Sequence, residues 1–399
     1  MGSFYSNALV EHAALAKLGD ASVLEQVLTR EAFAEANAAI RAWSGYSATP
    51  LHRLPSLAQS AGVAEILYKD EGPRFDLGSF KALGGAYAAQ QLLRRMLAER
   101  LSIEVSLEDV RSGKYKSEVA DIHIVTATDG NHGRSVAWGC QSFGAPCHIF
   151  IHAEVSDARA VSMRQYGADV IRVDGNYDAS VHAAQRAADV NGWSVVSDTS
   201  YPGYTLVPSQ VMAGYGCMSA EIVEQLGDQL PSHVFLQGGV GGLAAGVAAS
   251  LYHAWGERMP RVVVVEPQLA ACLYLSAQAG QLTEMHVETE TVMAGLSCGT
   301  PSMLAWDILA SITSDFVTLP ESLVGLTMLR LAEPEGEDAA IVAGESAVAG
   351  VACVLAAAEQ PSLKSALGLN ADSRVLFIGS EGATDEKIYA ELIETAKAI

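Results

Sequence analysis

The chain has 399 residues, half of them hydrophobic, which is enough to bury a large core divided between two domains. Its formal net charge of −21 repels phosphate backbones and anionic lipid surfaces, so neither nucleic-acid nor membrane partners are expected. The longest apolar stretches, such as residues 347–358, are shorter than a membrane-spanning helix requires, and the N-terminus lacks a basic segment followed by an apolar one. We therefore expect a globular protein of the cytoplasm.

Six cysteines are scattered along the chain and form neither a Cys-x-x-Cys pair nor a cluster with histidines. This spacing predicts buried thiols and no metal site. Cys272 and Cys298 both lie in stretches rich in glycine or alanine, and a redox-sensitive pair of these two is the alternative for them.

Short runs rich in β-branched residues alternate with longer helical patterns along the chain. This alternation is typical of parallel sheets wrapped by helices, so the sequence predicts an α/β fold. No internal repeat, low-complexity tract or linker marks a domain boundary. The predicted strands are residues 122–126, 147–152, 170–173, 194–197, 234–237, 262–265 and 374–378.

Lys81 lies in the sequence Ser-Phe-Lys-Ala-Leu-Gly-Gly at residues 79–85, where a helix is expected to begin. A lysine amine in apolar surroundings is desolvated, which lowers its pKa and frees it to attack an aldehyde. A Schiff base between Lys81 and pyridoxal phosphate is therefore chemically reasonable. The alternative is an ordinary exposed lysine at the start of an amphipathic helix.

A second motif, Thr-Ala-Thr-Asp-Gly-Asn-His-Gly at residues 126–133, leaves a strand and enters a helix. Ligands of open α/β sheets bind at the carboxyl ends of strands, where helix N-termini present N–H groups to a carboxylate or phosphate. The same motif also fits a plain strand-to-helix turn in which Asp129 caps the helix.

A third motif, Gln-Gly-Gly-Val-Gly-Gly-Leu at residues 237–243, follows a strand and precedes a helix of small residues. Glycines permit positive φ, so consecutive N–H groups can point at one phosphate above a helix N-terminus. The motif lacks the lysine of a Walker A loop and the spacing of a dinucleotide-binding fold. A phosphate site is favoured over tight helix packing as the reason for these glycines.

Together the three motifs resemble the fold type II pyridoxal-phosphate enzymes related to the tryptophan synthase β chain, and the resemblance covers nearly the whole chain. It implies that Lys81 forms the Schiff base and that Asn131 faces the phenolic oxygen of the cofactor. It further implies that Ser380, in the sequence Gly-Ser-Glu-Gly at 379–382, meets the pyridine nitrogen, and that Glu345 lies close to the ring. The residues that the resemblance places around the phosphate are Gly238, Gly239, Val240, Gly241 and Gly242.

The resemblance also implies two domains, each with a mostly parallel twisted sheet flanked by helices, and pyridoxal phosphate in the cleft between them. A large cofactor-binding domain is expected over residues 1–88 and 204–399, and a small mobile domain over 89–203. Closure of the small domain over the substrate would exclude water from the reacting carbon. Because fold type II enzymes are usually dimers, a homodimer is expected.

Two acidic residues make the expected chemistry more specific. They add to the effect of Ser380, whose neutral hydroxyl at the pyridine nitrogen favours β-elimination over transamination. The first acidic residue, Asp129, stands where serine and threonine dehydratases carry a serine. Together with Asp198-Thr199 and the following Gly-Tyr-Thr at residues 203–205, the motif at 128–133 resembles the diaminopropionate ammonia-lyases. This resemblance implies a small amino acid substrate with two amines and a role in amino-acid degradation.

The resemblance leads to a scheme with two bases. Lys81 and Asp129 would flank Cα of 2,3-diaminopropionate and deprotonate the L and D isomers respectively, and Asp198 would orient the β-ammonium. The alternatives for Asp198 are that it holds the asparagine loop, that it binds the cofactor, or that it caps a helix or turn. The other functions considered are a serine or threonine dehydratase, a β-replacement enzyme, and a ligand-binding protein without catalysis.

Overall fold

The computed structural model describes residues 4–15, 18–128 and 130–399, and the chain divides into two compact units. The first unit comprises Met1–Arg30, Ala48–Ser79 and Met218–Ile399, and the second comprises Glu31–Ser47 and Phe80–Cys217. None of the helices in the described ranges has the length and hydropathy needed to span a bilayer.

The first unit is built on a seven-stranded sheet. Its strands are β1 Glu11–Ala14, β2 Leu51–Arg53, β3 Glu65–Asp70, β8 His233–Gln237, β9 Arg261–Pro267, β10 Asp315–Leu319 and β11 Arg374–Gly379. Their order is β1-β10-β9-β8-β11-β3-β2. The central five strands are parallel, and β1 and β2 pair antiparallel at the two edges. The valines at 262–265 in β9 are all buried, as expected for a strand covered on both faces.

The second unit is built on a four-stranded parallel sheet. Its strands are β4 Ile124–Ala127, β5 Cys147–Ile151, β6 Asp169–Arg172 and β7 Ser194–Val195, in the order β6-β5-β4-β7. Val125 and Phe150 of the sheet pack against Ala184 and Ala188 of a covering helix. The α/β fold with mostly parallel sheets is therefore confirmed.

Helices surround both sheets. Those of the first unit are α1 Phe4–Asn7, α2 Ser22–Val27, α4 Pro55–Ala61, α12 Gly242–Trp255, α13 Cys272–Ala279, α14 Met303–Ile312, α15 Val324–Ala332, α16 Ala349–Glu359, α17 Pro361–Leu367 and α18 Glu386–Lys397. Those of the second unit are α3 Arg30–Arg41, α5 Ala82–Leu101, α6 Leu107–Arg111, α7 Lys116–Val119, α8 Asn131–Phe143, α9 Asp157–Arg164 and α10 Tyr177–Asn191. Helix α11, Leu206–Leu226, continues from the second unit into the first.

Helices α5 and α8 approach each other closely because small residues lie between them. A Cβ at Gly139 of α8 would lie 2.7 Å from Cα of Ala86, and one at Gly85 of α5 would lie 2.4 Å from Oγ of Ser135. Glycine is therefore required at both positions for this packing. The contact brings the beginnings of α5 and α8, where the Lys81 and asparagine motifs lie, to the same end of the helix pair.

All seven predicted strands are present, with ends that differ by up to a few residues. Besides the edge strands β1 and β2, the prediction omitted β3 and β10, which are both central strands of the larger sheet. Each of them carries buried charges, which hide the apolar pattern of a strand: Lys69 on β3 and Asp315 on β10. Asp315 is paired with Arg261 Nε at 2.7 Å.

The charge on β3 belongs to a buried ion cluster in the first unit. Glu221 of α11 accepts from Lys69 Nζ at 2.7 Å and from Arg74 Nη1 at 2.8 Å, and Arg74 Nε also donates to Glu71 at 2.8 Å. Burial raises the pKa of Glu221, but Arg74 and Lys69 outweigh it and bring the pKa to about 2. The cluster thus pairs two basic with two acidic side chains, as buried groups of this kind require.

Candidate active site

Lys81 directly precedes Ala82, the first residue of α5, and therefore lies at the N-terminal end of this helix. Its Nζ donates a hydrogen bond to Asp198 Oδ2 at 2.7 Å, and its carbonyl oxygen accepts one from Ser135 Oγ of α8 at 2.7 Å. The side chain is 19% exposed. The sequence predicted apolar surroundings for this amine, whereas in the structure it faces a carboxylate.

Asp198 follows the short edge strand β7 by three residues and lies within the second unit with Lys81. Burial raises the pKa of its carboxyl, but the positive charge of Lys81 and the hydrogen bond from its amine outweigh burial, and the pKa lies well below its usual value. Asp198 is therefore an anion whose partner is Lys81. The alternative in which it only caps a helix or a turn does not account for this ion pair.

His132, in the first turn of α8, adds a third polar group to this cluster. Its Nε2 lies 3.0 Å from the carbonyl oxygen of Val196, and because a carbonyl can only accept, Nε2 carries the proton. Its Nδ1 lies 3.8 Å from Asp198 Oδ2. Burial lowers the pKa of His132, so the ring is neutral. His132 lies in the motif at residues 126–133, but the motif alone predicts no role for it.

Two further residues of the second unit surround Lys81. The Phe80 ring lies 5.4 Å from the Lys81 Nζ, and it packs against Tyr215 of α11 with 4.7 Å between ring centroids. Gly84 permits this arrangement, because a Cβ there would lie 2.5 Å from Tyr215 Cε1. Burial raises the pKa of the Tyr215 hydroxyl, which stays neutral.

Asn131 is the first residue of α8, and its Oδ1 accepts from Arg134 Nη2 at 2.7 Å. The turn before it is held by Thr128, whose Oγ1 accepts from Gly130 N at 3.1 Å and Gly133 N at 3.2 Å. Thr128 therefore caps the beginning of α8. The alternative interpretation of this motif predicted Asp129 in that role. Asp129 itself lies outside the described residues.

The first unit carries the glycine loop, residues 238–242, between β8 and α12. Gly239 and Gly241 have φ of +68° and +94°, a region that favours glycine. A Cβ at Gly238 would lie 2.2 Å from Glu266 Cγ. The loop places backbone N–H groups at the N-terminus of a 14-residue helix, which is the environment that a phosphate requires.

Glu266 supports this loop from the end of β9 and was not identified from the sequence. It accepts hydrogen bonds from the backbone N–H groups of Leu273 at 3.2 Å and Tyr274 at 2.7 Å. Burial nevertheless raises its pKa to about 8, so it carries a proton at neutral pH. The adjacent Cys272 Sγ donates to the carbonyl oxygen of Gly239 at 3.4 Å, and no disulfide joins Cys272 to Cys298.

Ser380 and Glu345 also lie in the first unit. Ser380 follows the last residue of β11 and is buried, and Glu345 is buried in the segment before α16. These segments are joined, since Glu381 Oε1 accepts from the backbone N–H of Ser346 at 3.1 Å. Gln237, at the end of β8, donates to the carbonyl oxygen of Ile378 in β11. The glycine loop and Ser380 thus lie at the carboxyl ends of neighbouring parallel strands.

The structure therefore gathers the predicted residues in two groups. Lys81, Asp198 and the beginning of α8 with Asn131 lie together in the second unit. The glycine loop, Glu345 and Ser380 lie together in the first unit. Each group by itself fits a part of pyridoxal phosphate: the second unit offers the amine of Lys81, and the first unit offers a phosphate loop and the buried hydroxyl of Ser380.

Comparisons with known proteins agree with these features. Residues 42–381 match the family described as pyridoxal-phosphate dependent enzyme. The chain is 38% identical to the diaminopropionate ammonia-lyase of Escherichia coli (strain K12) over 360 residues, which cover 89% of each protein.

Solved structures give the same result. The crystal structure of the holo diaminopropionate ammonia lyase from Escherichia coli matches with a TM-score of 0.88 and 35% identity, over 98% of both chains. The same enzyme in complex with an aminoacrylate-PLP azomethine reaction intermediate matches with a TM-score of 0.87 and 34% identity, again over 98% of both.

The chain thus belongs to the pyridoxal-phosphate-dependent enzymes of fold type II, and within them to the diaminopropionate ammonia-lyase family. Its cofactor is pyridoxal 5'-phosphate, and it is a lyase. The predicted family, enzyme class and cofactor are confirmed.

Proposed function

We propose that this chain converts 2,3-diaminopropionate, in its D and L forms, to pyruvate and two molecules of ammonia. The observation that carries the proposal is the buried, ionised Asp198 carboxylate beside Lys81. A buried carboxylate needs a cationic partner, and the β-ammonium of diaminopropionate supplies one when Lys81 is engaged with the cofactor. The similarity to the Escherichia coli diaminopropionate ammonia-lyase supports the same substrate.

In this proposal the two groups of residues hold the cofactor. Lys81 binds it through its amine, Asn131 lies beside its phenolic oxygen, and the glycine loop of Gly238, Gly239, Val240, Gly241 and Gly242 binds its phosphate. Ser380 meets the pyridine nitrogen, and Glu345 lies close to the ring. When bound, pyridoxal phosphate stabilises negative charge at the Cα of the substrate.

The residues of the chain then move the protons. Once the substrate has taken the place of Lys81, the free amine removes the Cα proton of the L isomer, and Asp129 removes that of the D isomer from the opposite face. The role of Asp129 rests on its motif in the sequence. Asp198 keeps the β-nitrogen protonated, so the Cβ–N bond breaks with its electron pair going to nitrogen and neutral ammonia leaves. Water then converts the remaining three-carbon unit to pyruvate and the second ammonia.

The alternatives differ in what leaves and what is captured. A serine or threonine dehydratase acts on a substrate whose β-substituent is a neutral hydroxyl, which must be protonated before it leaves and offers no positive charge to the Asp198 carboxylate. A β-replacement enzyme would transfer a second nucleophile to Cβ before hydrolysis. A ligand-binding protein without catalysis would leave the Lys81 amine without use.

The proposal is tested with the purified holoenzyme and five substrates: D- and L-diaminopropionate, L-serine, D-serine and L-threonine. Pyruvate is followed by coupled reduction, and 2-oxobutyrate from threonine in the same way. We expect kcat/KM for diaminopropionate to exceed that for every hydroxyamino acid. A higher value for L-serine or L-threonine would identify a dehydratase, and capture of an added thiol would identify β-replacement.

Three further features complete the proposal. The chain acts as a homodimer in the cytoplasm, and the small domain over residues 89–203 closes over the bound substrate. Light scattering of the holoenzyme measures its mass in solution against the 41.9 kDa of one chain. Small-angle X-ray scattering with and without substrate measures the radius of gyration, which should decrease when the small domain closes.

A further inference from the structure

Strand β7, which leads to Asp198, lies at an edge of its sheet. Side chains form hydrogen bonds with the backbone groups on its outer side. Strand β7 has β4 as its neighbour, and the N–H groups of Ser194 and Val196 donate to β4 and the residue before it, at 3.0 Å and 2.9 Å. Backbone groups of successive residues point to opposite sides of a strand. Val195 and Ser197 therefore present their backbone N–H and C=O groups to the outer side of β7, where the described residues form no further strand.

The Tyr204 hydroxyl occupies this open side. It donates a hydrogen bond to the carbonyl oxygen of Val195 at 3.0 Å and accepts one from the N–H of Ser197 at 3.0 Å. One hydroxyl thus supplies the donor and the acceptor that a neighbouring strand would supply. The tyrosine reaches this place through a tight turn, in which the backbones of Tyr201 and Tyr204 are paired and Gly203 has a φ of +88°.

A second side chain holds the residue in between. His132 Nε2 donates to the carbonyl oxygen of Val196 at 3.0 Å. Tyr204 and His132 together therefore bind the backbone of residues 195–197, directly before Asp198. Of the backbone groups in this segment, the Val196 N–H pairs with β4, whereas the carbonyl oxygens of Val195 and Val196 and the Ser197 N–H bind these two side chains.

We propose that Tyr204 is a positioning residue for the reaction, which holds the Asp198 carboxylate against Lys81 by fixing the end of β7. The inference rests on the role proposed for Asp198 in substrate binding. Without the hydroxyl, Val195 and Ser197 lose their partner, and the strand end is held by His132 and β4. A displacement of about 1 Å of a catalytic group is enough to reduce turnover by about a hundredfold.

The test compares four holoenzymes with the wild type: Tyr204→Phe, Tyr201→Phe, Asp198→Asn and the double variant Tyr204→Phe/Asp198→Asn. Tyr204→Phe removes one oxygen and keeps the ring. Tyr201→Phe is the matched control, because this tyrosine lies in the same turn, stacks on Tyr204 with 5.1 Å between centroids, and is half exposed.

The first readout is the pH midpoint of the visible absorbance of the bound cofactor. An anion beside the Lys81 nitrogen favours its protonated form, so Asp198→Asn should lower this midpoint. We expect Tyr204→Phe to lower it in the same direction and the double variant to match Asp198→Asn alone. Tyr201→Phe should leave it unchanged. The second readout is kcat/KM for diaminopropionate, with about a tenfold to hundredfold loss in Tyr204→Phe and no further loss when it is added to Asp198→Asn.

The third readout is hydrogen exchange of the Ser197 amide, which should become faster in Tyr204→Phe and stay slow in Tyr201→Phe. An unchanged absorbance midpoint in Tyr204→Phe, or additive losses in the double variant, would overturn the positioning role. If the wild type does not turn over diaminopropionate, the proposed function fails. The absorbance midpoint and the Ser197 exchange still decide the role of Tyr204 in that case.

Discussion

The Asp198 carboxylate lies 2.7 Å from the Lys81 amine, although 117 residues separate them in the sequence. Both side chains are largely buried, with exposures of 15% and 19%. In this pair the aspartate is kept ionised and the lysine is kept where the cofactor is expected to bind. When Lys81 is bound to the cofactor, the Asp198 carboxylate is available to pair with a different cation. The second amine of the substrate carries the positive charge that this pairing requires.

Removal of the Asp198 charge should therefore reduce the preference for a substrate with two amines. For Asp198→Asn we expect kcat/KM for diaminopropionate to fall. The fall should correspond to a loss of about 2–5 kcal/mol in transition-state stabilisation, the range found when one partner of a buried charge pair is removed. Turnover of serine, which has no β-ammonium, should fall much less. Steady-state kinetics with both substrates measure the difference, and equal losses would show that Asp198 does not recognise the β-nitrogen.

Asp129 is expected to determine which stereoisomers react. Asp129→Asn removes the proposed base for the D isomer and leaves Lys81 for the L isomer, so the D isomer should be lost preferentially by about a hundredfold or more. Pyruvate release from each isomer measures this effect, with the cofactor absorbance as a control for loading. A parallel loss of both isomers would contradict the scheme with two bases.

The glycine loop should be required for cofactor affinity. Gly241 has a φ of +94° and a Cβ there would lie 3.1 Å from Ala305 Cβ. Gly241→Ala should therefore distort the loop and weaken binding of pyridoxal phosphate by about tenfold or more. Gly256→Ala is the matched control, because its φ is +55° at the other end of α12 and no atom lies within 4 Å. Titration of the apoenzyme with the cofactor should show loss of affinity in Gly241→Ala alone.

The buried ion cluster should make stability depend on pH in acid. The pKa of Glu221 is about 2 in the folded protein and 4.5 in its reference state, so its stabilisation is complete above pH 4.5 and is lost as the pH falls towards 2. Glu221→Gln should lower the free energy of unfolding by about 3–5 kcal/mol at neutral pH. The difference from wild type should shrink below pH 4.5.

Urea unfolding at several pH values measures this difference. Glu394→Gln serves as the control, because Glu394 pairs with Lys397 on the exposed surface, where solvent screens the pair and its loss should change stability little. A difference between wild type and Glu221→Gln that stays constant from neutral pH to pH 2 would contradict the assignment of this acid dependence to Glu221.

Much of the fold was predictable because most strands are apolar throughout. The four consecutive valines of β9, for example, leave little doubt about a buried strand. Strands β3 and β10 were not predicted because each carries a buried charged residue, Lys69 and Asp315 respectively. The partners of these residues, Glu221 and Arg261, lie far away in the sequence. A local pattern carries no information about such distant partners.

The candidate site follows the same rule. Lys81, Asn131 and the glycine loop were found because each lies in a short local motif. His132 and Glu266 were not assigned roles, since their importance comes from contacts with Asp198 and Gly238 across the fold. Tyr204 was noticed as part of a motif, but its hydrogen bonds to the end of β7 are visible only in the structure.

The most direct test of the account is the ratio of ammonia to pyruvate when the wild-type holoenzyme is given D- or L-diaminopropionate. Both products are measured in the same sample, with L-serine as a parallel substrate. We expect two ammonia for each pyruvate from both isomers of diaminopropionate. One ammonia for each pyruvate from L-serine, with no product from either isomer of diaminopropionate, would contradict it and identify a hydroxyamino acid dehydratase.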